Sequence, residues 1–321
     1  MPIITLEEHY VIPEVLESIA ALQSASRVDF VKAVQGKLLD LGEERIADMD
    51  ASGIDMQVLS LVAGGLDRLD GDTATSLAHD ANERLAAAVH DHPGRFAGFA
   101  AIAMQQPEQA AIELERCINA HGFKGTLISG TVGGLFLDDP RFIPIFEAAQ
   151  ALDVPIYLHP APPPKPVQDA YFSGLPAGVS YLLSTAAWGW HTETGLHVLR
   201  LILSGIFDRF PELKIIIGHM GENLPFSIAR ADAILSREPG RLKRRVAEYF
   251  HEHFWITTSG YFTHPPFLCA LQVVGADRLL FSVDYPFSPN AAGRAFLDSL
   301  PLSPADRDKI SYGNAEWLLH L

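Results

Sequence analysis

The sequence predicts a (β/α)8 barrel, and three observations carry that reading. Eight short apolar runs, each bounded by turn residues, recur along 321 residues. Stretches of helical periodicity separate them. Ionisable side chains stand at the C-terminal ends of four of the runs, where barrel enzymes gather their chemistry. A doubly wound open sheet usually shows a glycine-rich turn after its first strand; here that strand ends Glu-Glu-His-Tyr. One domain over residues 1–321 is expected, because barrels of about 250 residues or more run as single units.

In chain order the strands are expected at 3–9 (IITLEEH), 56–61 (entered through Gly53), 96–103, 123–129, 155–159, 213–219, 254–259 and 278–284. Between them, 38–52 places Leu41, Ile46 and Met49 at helical spacing, and 73–92 is alanine-rich and stops before Pro93. The helices 107–120 and 140–152 open on proline, whose missing N–H is harmless in a first turn. Further helices are expected at 222–237, 242–250, 265–274, 291–299 and 304–319, and a long apolar one at 196–207 within 181–210. Two connections are long: 10–38 after the first strand, and 160–181 after the fifth, which opens with the stiff segment PAPPPKP. Both leave strand C-terminal ends and read as lids or substrate walls.

Composition narrows the function. Thirty-nine acidic against 24 basic side chains give a net charge of -15. Such a surface repels phosphate backbones and anionic membranes, so neither nucleic acid nor membrane is an expected partner. No apolar run reaches the roughly 18 residues of a transmembrane helix. Residues 1–10 lack the basic start of a signal peptide and carry Glu7 and Glu8. Two cysteines, Cys117 and Cys269, are too few for a disulfide framework and read as core thiols. A soluble, cytoplasmic protein is expected.

Strand alternation puts Glu7 and His9 on one face and Glu8 on the other. Facing the barrel axis, Glu7 and His9 converge with His159, which ends the fifth strand, and Asp284, which ends the eighth. Two imidazoles and two carboxylates suit a divalent metal ion, and a position left open makes it catalytic. His219 ends the sixth strand beside the same axis. The cluster His251–Glu252–His253 precedes the seventh strand, at the opposite end, and reads as a solvated helix end, as do His90 and His92. GTVGG at 130–134 lacks the lysine of a phosphate-binding loop, and no G-x-S-x-G is present.

Taken in order, LEEHY (6–10), YLHP (157–160), IGHMGE (217–222), ITTSG (256–260) and LFSVDYPF (280–287) resemble the amidohydrolase superfamily. RCINAHGFKG (116–125) and GIFDRFPEL (205–213) extend the match nearly end to end. Within that superfamily the chain resembles the aminocarboxymuconate-semialdehyde decarboxylase-like branch, and there the metal-dependent hydroxybenzoate decarboxylases of γ-resorcylate and 2,3-dihydroxybenzoate type.

The resemblance implies that Glu7, His9, His159 and Asp284 hold one divalent ion, Zn, Mn or Mg, with Glu-x-His replacing the usual His-x-His. It implies that His219 is catalytic, oriented by Glu222, and that Asp284 delivers a proton. Trp190 falls where an aromatic ring meets the substrate, Ser129 where many members have asparagine, and Arg230 where an arginine follows the sixth strand in a structural or substrate-facing role. The implied activity is reversible, non-oxidative decarboxylation of a small hydroxylated aromatic acid by a homodimer or homotetramer. Departures gather at the substrate pocket. His-Pro-Ala-Pro-Pro stands at 159–163 where related enzymes read His-Pro-Arg-Asn-Pro, Ser129 lacks the amide, and the loop after the first strand matches poorly. The alternative on the same residues is a metal-dependent hydrolase of a lactone or amide. The four intact ligand positions argue against a noncatalytic binding barrel.

Overall fold

Eight parallel strands alternate with helices in the computed structural model, which describes residues 2–20, 25–238 and 242–321. They are β1 (Ile4–Tyr10), β2 (Met56–Leu61), β3 (Phe96–Gly98), β4 (Thr126–Ser129), β5 (Ile156–His159), β6 (Ile215–Ile217), β7 (Phe254–Thr257) and β8 (Leu279–Leu280). They form two ladders in chain order, β1-β2-β3 and β4 through β8. Strands this rich in Ile, Leu and Val suit a parallel sheet covered on both faces. Ile215 and Ile217 pack outward in the main core, and Ile216 packs inward with Leu6, Val58, Phe99, Trp255 and Leu280.

The ladders meet at two seams, closed in different ways. At β3–β4, Ala100 bridges Thr126, Ala100 N–H donates to the Gly125 carbonyl at 2.8 Å, and the Thr126 hydroxyl donates to the Ala100 carbonyl at 2.8 Å. At β8–β1 there is one backbone bond of this kind, His9 N–H to the Tyr285 carbonyl at 2.7 Å. Side chains do the rest. The Ser282 hydroxyl oxygen accepts from Leu6 N–H at 3.1 Å and Glu7 N–H at 2.6 Å. The Glu8 carboxylate accepts from Val283 N–H at 3.0 Å, Tyr285 N–H at 2.9 Å and the Ser282 hydroxyl at 3.0 Å.

Pairing along β1 slips between Thr5, opposite Gln57, and Glu8, opposite Leu59. The extra residue is a β-bulge. Strict alternation separates Leu6 from Glu7; the bulge lets both reach the interior, while Glu8 turns toward β8.

The long connections are not irregular loops. The 10–38 segment carries helices Pro13–Ala20 and Ala25–Leu39, with 21–24 outside the described residues, and 160–181 carries Lys165–Tyr171 and the start of Ala177–Ser184. The helix expected at 38–52 begins at Glu43, after the Asp40 carboxylate accepts from Gly42 N–H at 2.9 Å. The 181–210 stretch is three helices, the long one (Gly189–Ser204) ended by Gly205 at φ 81°. The 304–319 stretch is broken by a π-helical turn, Lys309–Gly313. Among the described residues no helix is long and apolar enough to cross a membrane.

Candidate active site

The site forms where β1, β5, β6 and β8 end. Glu7 is fully buried, and a glycine makes its place: a Cβ at Gly218 would lie 2.8 Å from Glu7 Oε2 and 3.2 Å from the Tyr157 hydroxyl. Oε2 accepts from the hydroxyls of Tyr157 and Ser259, and from Thr257 at 3.2 Å. Oε1 has no hydrogen-bond partner and faces His159 Nε2 at 3.2 Å and His219 Nε2 at 3.7 Å.

His9 repeats the pattern. Its Nδ1 lies 3.3 Å from the Ser60 hydroxyl, and its carbonyl accepts from the buried Arg45 guanidinium at 2.7 Å. Its Nε2 is buried without a hydrogen-bond partner, 3.3 Å from Asp284 Oδ1. His159 Nδ1 donates to the Pro160 carbonyl at 2.7 Å, which leaves Nε2 as a lone pair. Glu7, His9, His159 and Asp284 each bring one ligand atom within 4.8 Å of the others. Two orphaned buried atoms aimed at one point are costly unless a cation meets them. The donor set fits one divalent ion.

A second constellation adjoins it. Glu222 Oε1 accepts from His219 Nδ1 at 2.8 Å, and Oε2 from His191 Nδ1 at 2.6 Å. His191 Nε2 lies 2.9 Å from the Ala186 carbonyl. Glu222 thus ties His219, after β6, to the helix Gly189–Ser204. The sequence reading omitted His191, a lone histidine inside a helix with no spacing signal. It also omitted the Tyr157, Thr257 and Ser259 hydroxyls, whose inward alternation on β5 and β7 could have revealed them.

Burial and charge sort the protons. Burial pushes the Glu7 carboxyl up, but His219, His159 and His9 together hold it well below the usual carboxylate range. Burial, then the Glu7 charge, carry Asp284 up to about 7. Burial lowers His9 to about 4, keeping it neutral as a ligand must be. Burial disfavours charge on His219, yet Glu7 and Glu222 raise it to about 10. Glu222 is lowered to about 2 by His219 and His191 against its own burial. Burial lifts Glu8 to about 8 against the hydrogen-bond donors that favour its anion. His219, Met220, Glu222, Asn223 and Asp284 all have left-handed φ between 49° and 72°. Such non-glycine positions cost on the order of 1–3 kcal/mol each and concentrate at functional sites.

The cluster floors a cavity of about 590 Å³. Its walls include Val62, Ala161, Leu182, Trp190, Tyr261 and Phe287, and no lysine or arginine among the described residues. Trp190 lies with its ring centroid 6.4 Å from that of His159, and its buried Nε1 has no hydrogen-bond partner. Two expected substrate residues are placed elsewhere. Ser129 ends β4 and lines a separate void of about 30 Å³, which shares Val62 and Gly64 with the large cavity. Arg230 is exposed, because its helix, Leu224–Leu235, buries Leu224, Ile228 and Asp232 and turns residue 230 outward. His251 is exposed at the far end of the barrel, while His253 is buried and donates through Nδ1 to the Leu213 carbonyl at 2.9 Å.

Parallel strands, a buried carboxylate–imidazole cluster at their C-terminal ends and a cavity above it define a metal-dependent α/β-barrel enzyme. The amidohydrolase family model matches residues 36–321, and the chain belongs to that family. It is 40% identical to the γ-resorcylate decarboxylase of Polaromonas sp. (strain JS666), over 99% of this chain and 98% of that one. Dihydroxybenzoic acid decarboxylase from Polaromonas sp. JS666, with bound manganese and the inhibitor 2-nitroresorcinol, superposes with a TM-score of 0.90 at 39% identity, covering 100% of this chain and 97% of that one. 5-Carboxyvanillate decarboxylase from Novosphingobium aromaticivorans, complexed with manganese and 4-hydroxy-3-methoxy-5-nitrobenzoic acid, gives 0.90 at 36% identity, covering 100% and 96%.

Proposed function

We propose that this protein removes CO2, reversibly and without a redox cofactor, from a benzoate-type acid bearing a hydroxyl beside the carboxylate. The observation that carries the reading is the pair of orphaned ligand atoms, Glu7 Oε1 and His9 Nε2, in a cluster whose His9, His159 and Asp284 line a cavity with largely apolar walls. Residues 1–321 are read as one such barrel.

Glu7, His9, His159 and Asp284 would hold one divalent ion, and manganese is the proposed one, since two carboxylates lean toward harder ions. Bound there, the ion supplies positive charge that fixes a carboxylate and a neighbouring hydroxyl. Trp190, Leu182 and Phe287 exclude water around the ring. Asp284, once it has taken a proton from solvent, delivers it to the ring carbon that carries the carboxylate. The dearomatised ring then breaks its bond to the carboxylate. The bonding electrons return to the ring, CO2 leaves, and solvent reprotonates Asp284, so each turnover consumes one proton. His219, held cationic by Glu222 and Glu7, steadies the negative oxygens of the substrate.

The test is manganese content per chain for the wild type, Glu7→Ala and the control His251→Ala, followed by CO2 release from ortho-hydroxybenzoates. About one ion per chain, lost with Glu7 and kept with His251, supports the site. Acid release from lactones or amides without CO2 would favour the hydrolase instead.

A further inference from the structure

We propose that Glu8 is a positioning residue for two of the metal ligands, its carboxylate holding the end of β8 to β1 so that Glu7 and Asp284 keep their spacing. The inference rests on the metal site proposed above.

The β8–β1 seam has no ladder, and three of the four ligands straddle it: Glu7 and His9 on one side, Asp284 on the other. Glu8 grips the backbone immediately before and after Asp284, through Val283 N–H and Tyr285 N–H. Between those two bonds Asp284 is held at φ 72°, a conformation it would otherwise leave. The hold reaches Glu7 as well. The Ser282 hydroxyl donates to Glu8 and accepts from Glu7 N–H, so one carboxylate, through one hydroxyl, fixes the backbone of both ligands. Behind it the fully buried Arg45 stacks 4.9 Å from the Tyr285 ring centroid and donates to the His9 carbonyl. That guanidinium ties down the backbone of the third ligand.

All three described contacts of the Glu8 carboxylate are donors. An amide in its place would set an N–H against Val283 or Tyr285 N–H, leaving a buried donor unpaired at nearly unchanged volume. Glu8→Gln therefore disturbs the clasp while preserving the packing. Thr126→Val is the matched control: it removes a buried side-chain bond at the other seam, where no ligand hangs.

The experiment measures the manganese dissociation constant of the metal-free protein from the free-ion EPR signal, together with metal-free thermal melts. Variants are Glu8→Gln, Ser282→Ala and Thr126→Val. Groups that orient metal ligands typically change affinity by about ten- to a hundred-fold when replaced. That loss is expected for Glu8→Gln, with a smaller one for Ser282→Ala, while Thr126→Val melts earlier but binds manganese as the wild type does. Ser282→Ala decides the matter if Glu8→Gln yields no folded protein. Unchanged affinity in the seam variants, or an equal loss in Thr126→Val, would reduce Glu8 to a structural residue and overturn the proposal. A wild type that binds no manganese would overturn the metal reading, and this inference with it.

Discussion

Glu222→Gln isolates the charge that holds His219. The substitution keeps shape and leaves an amide oxygen able to accept from His219 Nδ1, now 2.8 Å from the carboxylate. What it removes is a full negative charge in a buried place. Unit charges about 4 Å apart interact by ~4 kcal/mol at an effective dielectric of ~20, which is about three pH units at ~1.36 kcal/mol each. The amide still accepts the hydrogen bond and so keeps part of what Glu222 contributes, which makes the expected change about two pH units. The sign follows from the direction of the shift. His219 is raised to about 10, so its charged form persists through the neutral range and is lost as pH rises through that value. Without Glu222 the loss comes earlier. Exchanging a charge-assisted for a neutral hydrogen bond adds ~1–1.5 kcal/mol, about a tenfold fall in kcat at pH 7. The assay is CO2 release from 2,6-dihydroxybenzoate between pH 6 and about 10, with kcat and KM separated. The alkaline limb should move down by about two units with KM nearly constant. A curve that overlays the wild type after scaling refutes the role given to His219.

Three further outcomes are expected. Tyr157→Phe removes one donor to the ionised Glu7 and should cost ~1.5–3 kcal/mol. At ~2.1 cal/mol/K per residue over 321 residues, the metal-free protein then melts about 2–4 °C lower in calorimetry at pH 7. Because Glu7 is held well below its ordinary value of 4.5 in the folded protein, that difference is complete at and above 4.5 and is lost only as pH falls further, through the lowered value; a difference that already fades above 4.5 refutes the assignment. Trp190→Phe keeps a ring but removes the unpartnered N–H, so KM should rise several-fold with kcat little changed, and an unaltered KM shows the N–H to be unused. Phe226, 90% exposed, and Tyr171, 77% exposed, suit positions covered in the homodimer or homotetramer that the resemblance implies. Light scattering should give a smaller particle for Phe226→Glu than for the wild type, and a monomeric wild type refutes the assembly.

The strands were legible because buried parallel strands write themselves as apolar runs. Their ends were less so. The 278–284 run ladders only at Leu279–Leu280, because beyond Leu280 side chains take over its backbone groups, Thr258 at Ser282 and Glu8 at Val283. The four proposed ligands stood out because ionisable groups ended apolar runs. His191 stood in a helix with nothing to mark it, and Glu8 looked like the outward-facing partner in an alternation that a bulge had displaced. Arg230 was drawn in by resemblance, and a single chain turns it to solvent. Ser129 occupies the right strand end but opens on a different void.

The hydroxyls around Glu7 bear on how such a site can change over evolutionary time. Tyr157 on β5, Thr257 on β7 and Ser259 just after β7 all aim at one carboxylate oxygen. An imidazole there could satisfy at most one of them with its single lone pair. Moving between Glu-x-His and His-x-His is therefore not one codon's work. The intermediate with histidine at position 7 and the hydroxyls unaltered would bury stranded donors against a ligand that cannot receive them. Lineages that exchange this residue should carry matched replacements at 157, 257 and 259, and a laboratory conversion should begin there.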